Sequence, residues 1–256
     1  MLIDAGFNPR QLRKRLATIG RAPENLTAIL LTHEHSDHIS GLPGMADNLQ
    51  IPVYCNRGTQ DGTIWAFKSR WTSKKEPLLE GLEGTAALKN KMDWRLFNTG
   101  ASFEINDIQV DTFSIPHDAQ DPVGFLLRTP AGNIGFATDL GHMTKLVIER
   151  TRSSTVLVLE SNHDVKLLQE CPHRPWSLKQ RILGRHGHLS NDAAADAAAQ
   201  IISAELKHLY LGHLSSQCNK PEIARRVMGE RLQQIGAMHV QLQIAAQDVP
   251  AVTLEL

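Results

Sequence analysis

The chain has 256 residues, of which 41% are hydrophobic and 21% are charged, as in ordinary globular α/β proteins. Its 27 basic and 27 acidic side chains cancel, so net charge gives no general case for a nucleic-acid or membrane partner. No segment has the pattern of a leader peptide or the length of a membrane span. Three widely spaced cysteines, Cys55, Cys171 and Cys218, suggest reduced thiols. We expect a cytoplasmic protein with one domain over residues 1–256.

The first part of the chain leads to a dense group of metal-ligand side chains. Residues 1–6 predict a short strand, and Asn8 followed by Pro9 predicts a helix N-terminus. The apolar run 26–31 predicts a buried strand that ends directly in a polar run, in which the ligand-type residues are His33, His35, Asp37 and His38. Zinc, manganese and iron accept imidazole and carboxylate ligands, so this run predicts a metal-binding loop.

Three later apolar runs end in the same way. Strand-like segments over 108–115, 134–137 and 209–211 precede His117, Asp139 and His213, respectively. We therefore expect ligands from four strands to meet at one sheet edge. Each later histidine, taken alone, also fits a buried hydrogen-bonded side chain.

The remaining pattern predicts a strand over 155–159 that ends at Glu160. A helix should begin at Ser190 or Asn191 and continue to about Leu206. Between Lys166 and His188 the predicted substrate-binding cations are Arg174, Lys179, Arg181 and Arg185, with Glu170 as the single acid. This excess suits a polyanion, although such a run is also typical of a solvated face. His163 is a further candidate for the lining of a cleft.

The H-x-H-x-D-H run at 33–38 resembles the signature of the metallo-β-lactamase-like hydrolases, and the later segments follow in the family's order. The resemblance implies an α/β (α+β) fold, a four-layer αββα sandwich. Relatives usually have one more strand before the Leu-Ile-Asp-Ala-Gly segment at residues 2–6, so we expect the N-terminal strand to be missing here.

The same resemblance implies two divalent metal ions, with Zn²⁺ favoured and Mn²⁺ as the alternative. One ion would be held by His33, His35 and His117, the other by Asp37, His38 and His213, with Asp139 bridging them. Such a pair can share a hydroxide nucleophile, which gives Asp37 a catalytic role as well. Asp4 and Asp118 are expected to orient ligands without binding metal.

Glu160-Ser161-Asn162 and Gly187-His188-Leu189-Ser190 resemble elements of the family's phosphodiesterase branch. There the histidine gives a proton to the leaving oxygen and the glutamate polarises it, a sensible arrangement for an alkoxide leaving group. We therefore expect His188 to be the general acid and Glu160 its partner. The alternative is that His188 only marks the entry to a helix.

Segments 116–125, 160–164, 185–191 and 211–216 together resemble the YycJ/VicX-like (WalJ-like) subgroup of predicted nucleases. This implies a two-metal phosphodiesterase, a 5′-to-3′ exonuclease acting on DNA rather than RNA. One alternative is a small-molecule hydrolase of the same fold, either a cyclic phosphodiesterase or a thioesterase. Another is a non-catalytic metal-binding accessory protein. No membrane partner is expected, and an exposed edge strand leaves a homodimer open.

Overall fold

The computed structural model describes residues 1–47, 49–73 and 92–255. The chain divides into two compact units, each with its own sheet and apolar core. The first consists of Met1–Thr99 with Ala119–Val123, and the second of Gly100–Asp118 with Gly124–Leu256. Two sheets with surrounding helices confirm the mixed α/β class. The single domain over 1–256 stays a prediction.

The first unit contains a four-stranded parallel sheet in the order β1-β2-β3-β4. Its strands are β1 (Leu2–Ile3), β2 (Ile29–Leu30), β3 (Val53–Cys55) and β4 (Trp94–Leu96). Its helices are α1 (Pro9–Thr18), a 3₁₀ turn (Pro23–Asn25), α2 (Ser36–Ile39), a π turn (Pro43–Asp47) and α3 (Arg57–Ser73). The predicted start of α1 is confirmed, because the Asn8 side chain accepts a hydrogen bond from the Gln11 amide at 3.0 Å.

The second unit contains a seven-stranded sheet in the order β11-β10-β9-β8-β7-β6-β5. Its strands are β5 (Ser102–Ile105), β6 (Ile108–Ser114), β7 (Val123–Thr129), β8 (Gly132–Ala137), β9 (Val156–Glu160), β10 (His208–Gly212) and β11 (Gln241–Ile244). Its helices are α4 (Lys145–Thr151), α5 (Val165–Glu170), α6 (Trp176–Leu183), α7 (Asn191–Ile201) and α8 (Pro221–Gln234).

Helix α7 begins where the sequence predicts and ends earlier. The Ser190 hydroxyl accepts a hydrogen bond from the Ala193 amide at 3.2 Å. The helix ends at Ile201, about five residues before the predicted end, because Ile202 has extended backbone angles. Two consecutive β-branched side chains lower helix propensity at this point. Leu206 still reaches the apolar core, after a turn.

Three neighbouring strands place candidate side chains at one edge of the larger sheet. Strands β8, β9 and β10 are parallel, and Gly212 at the end of β10 pairs with Glu160 at the end of β9. Asp139 lies two residues beyond β8, and His213 follows β10 directly. Carboxyl ends of parallel strands share one edge, so these side chains leave the sheet together. No helix in the described ranges is long and apolar enough to cross a bilayer.

Candidate metal centre

Asp4 fixes the histidine-rich loop of the first unit. Its carboxylate accepts hydrogen bonds from the backbone amide and the hydroxyl of Thr32, both at 2.9 Å, and lies 2.7 Å from Nδ1 of His38. A carboxylate at that distance makes Nδ1 of His38 the protonated nitrogen, so Nε2 is the metal-binding nitrogen of the neutral ring. These contacts join Asp4 to Thr32 and His38, and the role of Asp4 in orienting a metal ligand stays a prediction.

The other ligand candidates of the first unit are packed around the same loop. The ring centroid of His33 lies 4.6 Å from that of His35 and 4.1 Å from that of His38. His33 and His38 are buried, whereas the Asp37 side chain is 66% exposed. Gly6 makes this packing possible, because a Cβ atom there would lie 1.5 Å from the Asp37 carbonyl oxygen.

In the second unit, Glu160 is the centre of a buried hydrogen-bond network. Its Oε1 lies 2.8 Å from Nδ1 of both His188 and His213. Its Oε2 accepts hydrogen bonds from the backbone amides of Leu140 at 2.8 Å and Leu189 at 2.9 Å. The pairing with His188 is the one that the sequence suggests. The pairing with His213 was missed, because 53 residues separate the partners and no local pattern connects them.

The network perturbs the acid–base chemistry of its members. Burial alone would raise the pKa of Glu160, but hydrogen bonds from His188 and His213 lower that pKa below its ordinary value. Burial would lower the pKa of His188, and the hydrogen bond to Glu160 outweighs it, so this pKa is raised. A histidine with a raised pKa stays protonated at higher pH, which is what a proton donor needs.

Asp139 and His117 lie next to the hydrogen-bond network of Glu160. Oδ1 of Asp139 lies 3.4 Å from Nδ1 of His213 and 3.8 Å from Nε2 of His117. Ligand-type atoms of Asp139, Glu160, His188 and His213 all lie within 4.8 Å of one another. Buried imidazole and carboxylate groups at these distances fit a divalent ion such as Zn²⁺ or Mn²⁺. Each unit therefore has a donor set whose chemistry suits a metal.

Candidate residues also carry unusual backbone geometry. Asp4, Asp139 and His213 have φ values of 56°, 61° and 56° in the left-handed region. In the described residues, only two other non-glycine residues, Gln50 and Asn106, have a positive φ. Such conformations cost about 1–3 kcal/mol each and concentrate at functional sites. No sequence signal predicted this strain.

A buried amide network holds three segments of the second unit in register. The Ser161 hydroxyl donates to Oδ1 of Asn191 at 2.7 Å, and Nδ2 of Asn219 donates to the Ser161 carbonyl at 2.8 Å. Nδ2 of Asn162 donates to the His213 carbonyl at 2.9 Å. The end of β9, the start of α7 and the loop after β10 are thereby joined around Glu160.

Asp118 and Arg181 form an ion pair beside His117, and His117 Nδ1 lies 3.1 Å from the Gly187 carbonyl oxygen. Asp118 also donates its backbone amide to the His186 carbonyl at 3.1 Å. These contacts hold the loop before His188 against the loop of His117. Asp118 is thus in contact with an arginine that the sequence assigned to substrate binding.

The predicted substrate contacts differ in exposure. Arg181 and Arg185 are exposed and Arg174 is half-buried. Lys179 is buried, and its ammonium donates a hydrogen bond to the Gln169 carbonyl at 2.7 Å. This bond connects α6 to α5. His163 is 1% exposed, and burial lowers its pKa to about 4. We do not retain Lys179 and His163 as substrate contacts.

Comparison with known proteins gives a consistent result. Residues 1–213 match the family described as the β-lactamase superfamily domain. The chain is 33% identical to an exodeoxyribonuclease YycJ of Bacillus anthracis over 92% of this chain and 82% of that protein. It is 32% identical to an exodeoxyribonuclease WalJ of Streptococcus pneumoniae over 91% of this chain and 80% of the relative.

A solved structure supports the fold. Zn²⁺-bound PqqB from Methylobacterium extorquens superposes with a TM-score of 0.64 at 15% identity, covering 99% of this chain and 82% of PqqB. At that identity the likeness concerns the fold alone.

Proposed function

This chain belongs to the β-lactamase superfamily of metal-dependent hydrolases, and we propose that it is an exonuclease that hydrolyses phosphodiester bonds of DNA. The observation that carries the proposal is the buried Glu160 carboxylate bound to both His188 and His213. One carboxylate thereby supports a proton donor and a metal-ligand candidate. The names of the two exodeoxyribonuclease relatives support the same substrate class.

We propose that two divalent ions bind at the seven ligand candidates. They are His33, His35, Asp37, His38, His117, Asp139 and His213. The donor chemistry of each unit supports this assignment, and Zn²⁺ or Mn²⁺ both suit it. When bound, the ions supply positive charge that activates water and stabilises the negative charge of the phosphodiester. The protein's own part is to fix the imidazole tautomers, which Asp4 does for His38 and Glu160 does for His213.

His188 would supply the proton for the departing 3′ or 5′ oxygen. Its Nδ1–H is held by Glu160, so the protonated ring presents Nε2–H as the transferable proton. The charged carboxylate stabilises the imidazolium before the transfer and keeps the ring oriented. An alkoxide is a poor leaving group, so this proton transfer contributes about 10²–10⁴-fold to the rate in comparable enzymes.

Leaving-group dependence tests this role of His188. In His188→Ala, hydrolysis of DNA should fall by about 10²–10⁴-fold, because the alkoxide must then leave without a proton. Hydrolysis of bis(4-nitrophenyl) phosphate should fall much less, because nitrophenolate leaves without one. Glu160→Gln should also weaken metal binding, because Glu160 holds His213, so it should lower the hydrolysis of both phosphodiesters. Metal content is measured on each variant, and His239→Ala, which alters an exposed histidine, is the matched control.

An equal loss on both phosphodiesters, with metal content intact, would contradict proton donation by His188. Loss of bound metal in His188→Ala would instead make this residue a ligand.

We also propose 5′-to-3′ polarity, preference for DNA over RNA and action in the cytoplasm, where a DNA substrate is present. We further propose that the protein assembles as a homodimer. Sedimentation of the metal-loaded protein tests it directly.

A further inference from the structure

Helix α6 carries an exposed aromatic side chain that the proposed catalysis does not use. Trp176 at its first position is 62% exposed. Lys179 and Ile182 are the buried residues of α6, whereas Trp176, Gln180 and Arg181 are exposed. Large exposed aromatic surfaces are costly in water, and they are common where a planar partner binds.

The far end of α6 is tied directly to the candidate general acid. The backbone amide of His188 donates to the Ile182 carbonyl at 2.9 Å. Arg181, the residue before Ile182, pairs with Asp118 beside His117. At 1.5 Å per residue, Trp176 is about 10 Å from the end of the helix, which corresponds to roughly three nucleotides of a stacked strand.

Positive charge lies at both ends of this helix. Arg174 precedes Trp176 and Arg185 follows the helix, and neither has an ion-pair partner in the part of the chain that the structure describes. Two neighbouring cations are paired, Lys166 with Glu170 at 4.0 Å and Arg181 with Asp118. A half-buried guanidinium beside the ring and an exposed one beyond the far end of the helix suit a strand that runs along α6, with phosphates near both ends.

We propose that the outward side of α6 is a subsite for single-stranded nucleic acid, in which Trp176 stacks on an unpaired base roughly three nucleotides from the phosphate cleaved at His188. The inference rests on the proposed function, which it deepens by naming the form of the substrate. Stacking on an aromatic face tolerates any base but requires that the base be unpaired and free of one stacked neighbour. The subsite therefore selects single strands over blunt duplexes.

Binding of a fluorescent single-stranded DNA oligonucleotide, measured by anisotropy on the metal-loaded protein in the His188→Ala background, tests the subsite. Adding Trp176→Ala should weaken binding by roughly 5- to 150-fold, the range for loss of one base–aromatic stack. Trp176→Phe should restore most of the affinity. Trp65→Ala is the matched control, because Trp65 is 70% exposed on α3 in the other unit. Affinity for a blunt duplex should change little.

A second arm locates the stacked base. Abasic sites are placed one at a time at the second, third and fourth nucleotides from the cleaved phosphate. One of these should weaken binding to the Trp176-containing protein, and the same abasic site should cause no further loss in Trp176→Ala.

Two results would overturn the subsite. One is an unchanged affinity of Trp176→Ala for single-stranded DNA, and the other is an abasic site that weakens binding equally in the presence and absence of Trp176. Cleavage by the wild-type protein is followed in parallel. Tryptophan-dependent binding without any cleavage would leave the subsite standing and contradict the proposed nuclease. DNA cleavage together with binding that does not depend on Trp176 would support the nuclease and contradict the subsite.

Discussion

At the scale of single residues, the ligand candidates of each unit depend on a carboxylate that holds histidines in one tautomer. Asp4 does this for His38, and Glu160 does it for His188 and His213. Both carboxylates also accept backbone amides, Thr32 for Asp4 and Leu140 for Glu160, so the side chains cannot rotate without breaking several bonds. Replacing either with its amide would put a donor where an acceptor is needed.

We predict that Asp4→Asn weakens metal binding without unfolding the protein. An amide nitrogen facing Nδ1 of His38 would favour the wrong tautomer and reduce metal affinity by about 10- to 100-fold, the usual effect of losing such a partner. Competition with a chromogenic chelator measures the change. Asp107→Asn, at an exposed turn, is the matched control. Wild-type metal affinity in Asp4→Asn would show that Asp4 does not orient His38.

At the scale of elements, the second unit's sheet contains a polar cluster built around Asp111. Asp111 on β6 accepts hydrogen bonds from Ser102 on β5 at 2.6 Å, from Gln109 at 2.9 Å and from Arg128 on β7 at 2.6 Å. Burial would raise the pKa of Asp111, but these donors lower it below the ordinary value. The carboxylate therefore joins three strands in its charged form.

The pH dependence of unfolding tests this cluster. Because the pKa of Asp111 is lower in the folded protein, its carboxylate stabilises the fold fully at pH values above its unfolded-state pKa of about 4. This stabilisation is lost as the pH falls through the folded-state pKa. Asp111→Asn should lower the free energy of unfolding by about 2 kcal/mol at neutral pH. Arg128 is partly exposed, so water screens its attraction to Asp111 and keeps the loss at this modest size. The variant should approach wild-type stability in acid. Denaturant unfolding at a series of pH values measures both effects.

The matched control is Asp93→Asn, which removes the exposed pair that Arg95 makes at the surface of the first unit. Asp93→Asn should lower the free energy of unfolding by less than about 1 kcal/mol at any pH. A pH-independent loss in Asp111→Asn would mean that the charge of Asp111 does not stabilise the sheet.

At the scale of the whole molecule, the family resemblance implied the fold class, and local patterns predicted the strands that precede the ligand candidates. The His33–His38 run, the strand before it and the residues that end β8, β9 and β10 all follow from short patterns. The bond between Glu160 and His213, the burial of Lys179 and the left-handed backbone of Asp139 did not, because each depends on packing between distant segments. Periodicity shows where a strand ends and leaves open which distant group its last side chain contacts.

The most direct test of the account is a time course with 5′-labelled and 3′-labelled single-stranded DNA, run on protein whose zinc or manganese content has been measured. We predict stepwise shortening from the 5′ end, abolished by a chelator, restored by Zn²⁺ or Mn²⁺, and absent in the Asp37→Ala/His38→Ala double variant. Folded, metal-loaded protein that leaves both labelled strands intact would contradict the proposed exonuclease.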